Sequence, residues 1–196
     1  MLGRIKKGEQ LLDLGCCLGQ DLRKLAYDGA PSENMYASDI DKSFWTFGYD
    51  LFLDRATLKS IFLEADIFDP ESQLKQLDGK IDIVNATSFF HLFDYDGQVK
   101  AAKRVVQLLK PNSGSTIIGR QGGQLEAGNI AHVTKDKSVY WHNPESWAKM
   151  WEQVGRETGT EWKAESLFDS EDLSTRMKTN IIPASTRLMR FTIRRV

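Results

Sequence analysis

The chain has 196 residues, 41% of them hydrophobic and 27% charged, the usage of an ordinary globular chain long enough to bury one sizeable core. Its 26 basic and 27 acidic side chains leave a formal charge of -1, which excludes the basic footprint of a nucleic-acid binder or of a protein held on an anionic membrane. No apolar run approaches the roughly 18–20 residues that span a bilayer, and the charged start, Met1 to Gly8, has no apolar stretch behind it to make a secretory leader. The only two cysteines, Cys16 and Cys17, are adjacent, a spacing that suits neither a disulfide nor a metal site. A reduced, cytoplasmic protein with no metal is the expectation.

In chain order, strand and helix patterns alternate over the first two thirds, which predicts a parallel sheet wrapped by helices, in a single domain over residues 1–196. Gln10–Leu14 reads as the first strand, stopped by Gly15, with a helix from Gly19 to Tyr27 whose Leu22, Leu25 and Ala26 face inward. Met35–Ser38 is the second strand, followed by an aromatic-rich helix from Lys42 to Asp54. Ser60–Ala65 is the third, and Pro70 suits the first position of a short helix ending near Leu77. Lys80–Ala86 is the fourth strand. Val99, Ala102, Val106 and Leu109 then recur on one helical face before Pro111 and Gly114 stop it. Ser115–Gly119 is the fifth strand, and the polar, glycine-containing Gln121–Val139 predicts a loop or short hairpin. Asn143 caps a helix with Pro144 at its first position, Trp147, Met150, Trp151 and Val154 as its buried stripe, and Gly159 as its stop. Glu161–Leu167 and Arg187–Val196 read as two late strands, the arginines of the second on a solvated face.

The most informative stretch is Leu11-Leu-Asp-Leu-Gly-Cys-Cys-Leu-Gly-Gln-Asp21, a glycine turn between strand and helix. Gly15 lets the chain turn and a ligand approach the backbone, and Gly19 opens a helix whose free N–H groups carry partial positive charge. This is the edge of an open parallel sheet where nucleotide-like ligands sit. A dinucleotide site wants G-x-G-x-x-G, but Cys17 and Gln20 replace the second and third glycines. Asp13 and Asp21 flank the turn, repelling a pyrophosphate and suiting a cationic amino group or sulfonium, so the ligand is read as an adenosyl amino acid rather than NAD.

Asp39 ends the second strand 24 residues after Gly15 (39 minus 15), placed to accept from both hydroxyls of a ribose, while Asp41 has a helix to cap. Asp66, after the third strand, suits an adenine amino group with the next backbone N–H on a ring nitrogen, although taken alone it reads first as a turn residue. The three acids carry weight together, each at a successive strand end.

These residues resemble the class I S-adenosylmethionine-dependent methyltransferases: Leu12-Asp-Leu-Gly-Cys-Cys-Leu-Gly matches the first motif, Asp39 the second and Asp66 the third. Ser88-Phe-Phe-His-Leu-Phe-Asp94, Gly119-Arg-Gln-Gly-Gly123, Trp141-His-Asn-Pro-Glu-Ser-Trp147 and Met189-Arg-Phe-Thr-Ile-Arg-Arg195 look like fungal enzymes that O-methylate small meroterpenoid or related secondary metabolites, often at a carboxyl group. The resemblance implies a Rossmann-like α/β fold, a seven-stranded, mostly parallel sheet with helices on both faces and an antiparallel last strand. It implies S-adenosyl-L-methionine as cofactor, with Asp13, Gly15 and Gly19 on the methionine part, Asp39 and Ile40 on the ribose and one adenine face, Asp66 and Ile67 on the adenine edge, and Asn85 and Ala86 along the methionine moiety. Two departures stand out. Cys17 replaces a usual glycine, which the turn tolerates if φ stays negative, and Cys16 and Cys17 read as small buried residues rather than reactive thiols. The helical segment that precedes the first strand in related enzymes has no counterpart, as in a core fragment or a chain whose lid comes from elsewhere.

For the acceptor, His91 follows the fourth strand and suits contact with, or deprotonation of, the acceptor; the other reading is a histidine satisfied by backbone groups within an aromatic core. Phe89 and Phe90 suit an apolar wall or simple core, and Arg120 and Gln121 a carboxylate or a rim salt bridge. His132 and His142 read as structural or solvated. The partner is a small-molecule acceptor, not nucleic acid or membrane, and the aromatic helix around Trp45 suits equally a second copy in a homodimer. Two other readings stand: a binding module that holds the cofactor without turnover, and an NAD-dependent oxidoreductase, against which Gln20 speaks.

Overall fold

Short apolar runs alternating with amphipathic stretches assemble as a layered sheet because each strand buries both faces only when helices cover it. The computed structural model describes residues 1–131, 138–172 and 185–196. In chain order these form α1 (Leu2–Ile5), β1 (Leu11–Leu14), α2 (Gln20–Tyr27), β2 (Met35–Asp39), α3 (Lys42–Phe52), β3 (Ile61–Glu64), β4 (Ile83–Asn85), α4 (Tyr95–Leu108), β5 (Thr116–Gln124), β6 (Gly128–Ala131), β7 (Ser138–Trp141), α5 (Pro144–Thr158), β8 (Trp162–Asp172) and β9 (Thr186–Arg195). Seven strands make one sheet in the order β3-β2-β1-β4-β5-β9-β8, and β6 and β7 form a separate antiparallel pair. β1 pairs in parallel with β2 and β4, and β2 with β3, while β9 runs antiparallel to the edge strand β8. The expected seven-stranded, mostly parallel sheet with an antiparallel last strand is what forms. Among the described residues no helix is long and apolar enough to cross a membrane.

The chain divides into two compact units, Met1–Ala86 with Arg104–Thr116, and Thr87–Lys103 with Ile117–Val196. In the first, all four residues of β1 are buried, as a central parallel strand requires. Leu22 and Leu25 of α2 are buried as expected. Asp41 caps α3, accepting from Ser43 N–H at 2.8 Å. α3 buries Trp45, stacked on Phe62 at 5.5 Å, and leaves Phe44, Phe47 and Leu51 exposed. Arg23 binds α2 to α3. The residue is 8% exposed, and its guanidinium pairs with Asp54 at 2.7 Å, donates to the Leu18 carbonyl, and lies 4.9 Å from the rings of both Trp45 and Phe52.

The second unit has an aromatic core. Phe90, Trp147, Trp151 and Phe191 meet edge-on or tilted. α5 starts with a full capping box, the Asn143 side chain accepting from Ser146 N–H at 2.8 Å while Ser146 Oγ accepts from Asn143 N–H at 3.1 Å. Trp147, Met150, Trp151 and Val154 are all fully buried, and Gly159 ends the helix in the left-handed conformation, φ 65°.

Four expectations change. The segment after Pro70 is a 3-10 turn at Gln73–Leu77 led by Ser72, so Pro70 lies outside it. A short helix, α1, precedes β1. β5 does not stop at Gly119 but continues through Arg120 to Gln124, with the hairpin following it. Cys17 takes φ 49°, in the left-handed region, and is exposed, while Cys16 alone is buried. His132 lies outside the described residues.

Gly48 in α3 has no room for a side chain, because a Cβ there would collide with the Leu18 carbonyl and lie 2.9 Å from the Arg23 guanidinium. Gly48→Ala gains about 1 kcal/mol of helix propensity, but the obstacle is backbone. The expected net result is a loss of about 1–3 kcal/mol, read as a lower urea midpoint. An unchanged or raised midpoint contradicts this close approach of helix to loop.

Candidate functional site

The turn after β1 is built from both sides. Gly15, at φ 71°, and Cys16 both donate their N–H groups to the Ser38 carbonyl of β2, at 2.8 and 3.0 Å. Cys17 N–H donates to Asp39 Oδ2 at 2.9 Å, and this bond gives the left-handed Cys17 its physical reason: a bent backbone, costing on the order of 1–2 kcal/mol, delivers its donor to a carboxylate. Gly19, at φ 70°, heads α2, and a side chain there would collide with the Trp45 ring. Asp39 therefore sits where the sequence places it, at the end of β2, and also organises the loop.

Asp13 is 4% exposed and faces Asn85 across the β1–β4 ladder, accepting from its Nδ2 at 2.8 Å. The same amide group lies 3.4 Å from Asp21 Oδ2. Burial, then the charge of Asp21, push the Asp13 carboxyl up to about 7; the Asn85 bond opposes them and Asp39 adds to them. Burial likewise pushes the Cys16 thiol far up, so that it stays protonated and inert. Three carboxylates around one turn form a site short of positive charge, and the donor set fits a cationic ligand. Among the described residues no group of three or more His, Cys, Asp or Glu is arranged to hold a metal ion.

The remaining expected residues are less tightly gathered. Ala86 is fully buried after β4. Ile40 is 69% exposed, an apolar side chain open to a ligand face, whereas Ile67 is buried. Asp66 is exposed and accepts from Phe68 N–H at 2.8 Å, the turn role that its sequence position also allowed.

In the second unit Ser88, at φ 57°, bends the chain sharply and donates its N–H to the Arg120 carbonyl at 2.7 Å. A short 3-10 turn, Phe90–Leu92, follows. Phe90 points wholly into the tryptophan core, which removes it from any ligand wall. Phe89 is also buried, edge-on to Phe90 and Phe93. His91 is half-buried, its Nδ1 has no hydrogen-bond partner, and loss of water around the ring holds its pKa down at about 4. Arg120 and Gln121 do not share a side of β5. Alternation puts Arg120 with Gly122, and Gln121 with Gly123. Arg120 is exposed, and its side chain makes no hydrogen bond or ion pair among the described residues. Gln121 is 1% exposed with neither side-chain atom partnered. His142 is fully buried in the core, its Nδ1 2.9 Å from Ser146 Oγ.

Trp141 enters the sequence reading only as the first residue of a motif, without a place in the site. Its Nε1 donates to the His91 carbonyl at 3.3 Å and its ring meets the His91 ring at 6.0 Å, 86° between planes. Gln98 fixes that arrangement, its buried Nε2 donating to the carbonyls of Phe93 and Tyr140 at 3.0 and 2.6 Å. These partners are 42 to 50 residues apart in sequence or lie across a helix and a hairpin, and no local pattern signals them. Two open grooves of about 530 and 650 Å³, one around Arg23, Pro31 and Asp54, the other around Trp151, Gly159 and Trp162, include none of the residues expected at the site.

A family profile described as "Methyltransferase domain" matches residues 11–112. The chain is 52% identical over 174 residues to the O-methyltransferase phiE of Fungal sp., covering 88% of this chain and 58% of that protein. It is 45% identical over 176 residues to the methyltransferase adrK of Penicillium rubens, covering 89% and 63%. The chain thus spans about three fifths of the length of these relatives. Among solved structures, the 1,6-didemethyltoxoflavin-N1-methyltransferase of Burkholderia thailandensis superposes over 100% of this chain and 76% of its own, at TM-score 0.66 and 15% identity. The magnesium protoporphyrin IX methyltransferase of Synechocystis superposes over 99% and 73%, at TM-score 0.61 and 16% identity. At that identity the likeness is one of fold.

Asp13 has a folded pKa raised from 3.8 to about 7, so its contribution to stability is complete below pH 4 and is lost as pH climbs to 7. Asp13→Asn mimics the neutral form while keeping the acceptor for Asn85. At pH 8 it should be more stable than wild type by on the order of 3–4 kcal/mol, with the gap closing toward pH 4. Equal denaturation midpoints at pH 8 contradict a buried, electrostatically opposed carboxylate.

Proposed function

Because the chain belongs to the class I methyltransferase domain family, we propose that it binds S-adenosyl-L-methionine with its first unit and methylates an oxygen, a carboxylate by preference, of a small secondary metabolite. One observation carries the reading: Asp13, Asp21 and Asp39 gather around a glycine turn, with no compensating cation among the described residues. When bound, S-adenosylmethionine supplies a methyl group already activated on a positively charged sulfur. The chain's residues have the task of binding and positioning. Asp13 and Asp21, with Asn85 between them, attract the cationic amino-acid end beside the Gly15–Gly19 turn and Ala86. Asp39 accepts from the ribose hydroxyls, Ile40 covers an adenine face, and Asp66 with the Ile67 backbone reads the adenine edge.

Acceptor contacts fall to the second unit, on His91 and Arg120, with Phe89 behind them. A histidine whose pKa sits at about 4 is neutral at physiological pH and a weak base. It is a poor match for deprotonating a hydroxyl. A carboxylate needs no base, and the exposed Arg120 guanidinium, without an ion pair among the described residues, suits it in a two-pronged pair. His91 then orients the acceptor and excludes water. The fungal relatives named as methyltransferases, one of them for asnovolin E and chermesin D, support a secondary-metabolite acceptor.

Calorimetry with S-adenosylhomocysteine tests the cofactor half. Wild type should bind, and Asp39→Ala should weaken binding about tenfold or more, the scale of a lost charge-assisted hydrogen bond. Asp39→Asn keeps an acceptor for Cys17 N–H and so separates loss of ribose contact from loss of loop shape. Absence of binding by wild type, or equal affinity in all three proteins, contradicts the assignment.

A further inference from the structure

We propose that Trp141 is a specificity-determining residue of the acceptor site and that, with His91 and Arg120, it selects a flat aromatic ring carrying a carboxylate. The inference rests on the methyltransferase reading and narrows it to a substrate class. Every group involved belongs to the second unit. Two ring systems, His91 and Trp141, stand 6.0 Å apart at 86°, so they form a corner rather than a stack. The indole is pinned there by its bond to the His91 carbonyl and by the Gln98 bridge between the chain segments that carry the two rings. Its six-membered edge lies along β5 at Gly122, where a Cβ would come within 3.2 Å of Cη2. Gly122 thus sets the depth at which the indole rests.

Arg120 lies two residues along β5 on the same side, about 6.6 Å away by strand geometry, exposed and without an ion pair among the described residues. His91 adds a buried Nδ1 with no hydrogen-bond partner among the described residues. Two ring walls at right angles accept a flat ring, with its face on one and its edge on the other, as aromatic pairs prefer. The guanidinium then meets an anionic substituent at the rim. A bulky saturated ring has the same apolar area but cannot lie in the corner.

The probe is 2-naphthoate, measured by calorimetry against protein holding S-adenosylhomocysteine, with decahydro-2-naphthoate as the saturated control and 2-naphthamide as the uncharged one. Wild type should bind naphthoate at least tenfold more tightly than either control. Trp141→Ala should lose about tenfold for naphthoate and the preference for the flat ring, Trp141→Phe should stay within about threefold, and Arg120→Gln should lose only the preference for charge. Affinity for S-adenosylhomocysteine should be the same in all variants, which a general structural defect would not allow. No naphthoate binding by wild type, equal binding of the saturated control, or an unaltered Trp141→Ala overturns the proposal. If Trp141→Ala does not fold, Gly122→Ala displaces the indole instead: weaker naphthoate binding supports the proposal and unchanged binding overturns it. Failure of wild type to bind S-adenosylhomocysteine, with naphthoate discrimination intact in protein without it, overturns the cofactor-site assignment and leaves the aromatic corner standing.

Discussion

The Ser38 carbonyl, accepting N–H groups from both Gly15 and Cys16, is the interaction on which the first unit depends. It sits one residue before Asp39, whose carboxylate takes the next N–H, from Cys17. Three successive donors of the turn are therefore satisfied by two successive residues of the neighbouring strand. Loop shape and carboxylate position are one structure, not two. Arg23 closes the other end, holding the Leu18 carbonyl and Asp54 within a ring of aromatic side chains from α3. The turn keeps its shape between these anchors, which is the preorganisation a binding loop needs.

That preorganisation opposes stability in the unliganded chain. Asp13 has lost its water and stands near Asp21 and Asp39, and a single amide from Asn85 is a partial offset. A carboxylate in that position works against folding, since a neutral residue would fit the same space. The arrangement has a direction: any ligand that brings positive charge relieves the opposition, while an anionic pyrophosphate increases it. Electrostatics therefore discriminates between cofactor classes before any shape complementarity is considered.

Much of this was legible in sequence wherever the cause was local. Asp41 as a cap, the Asn143-Pro144 helix start, the Trp147–Val154 stripe and the Gly159 stop each follow from short-range chemistry, and the structure forms them all. The alternating strands and the acid ending β2 were equally readable. Cys17 was not, because its left-handed backbone is imposed by Asp39, 22 residues away. The length of β5 was hidden for a related reason. Gly122 and Gly123 read as loop, yet each is a strand residue whose missing side chain makes room for a neighbour, Trp141 on one side and the His142 carbonyl with Phe168 on the other. A glycine demanded by a tertiary neighbour and a glycine demanded by a turn look alike in one sequence.

The second unit shows how finely a short turn can divide roles. Phe90 and His91 are adjacent, and the 3-10 turn that holds them sends Phe90 wholly into the core against Trp147 and Trp151 and leaves His91 half-buried against Trp141. The core contact fixes the turn, and the fixed turn fixes the imidazole. Ser88 adds to this by accepting a strained conformation, which persists only because its N–H finds the Arg120 carbonyl. The same bond ties the His91 turn to the strand that bears the exposed Arg120 guanidinium. The position of the imidazole is consequently a property of the turn and strand together, and a lone histidine searched for by residue type would miss the reason it stands there.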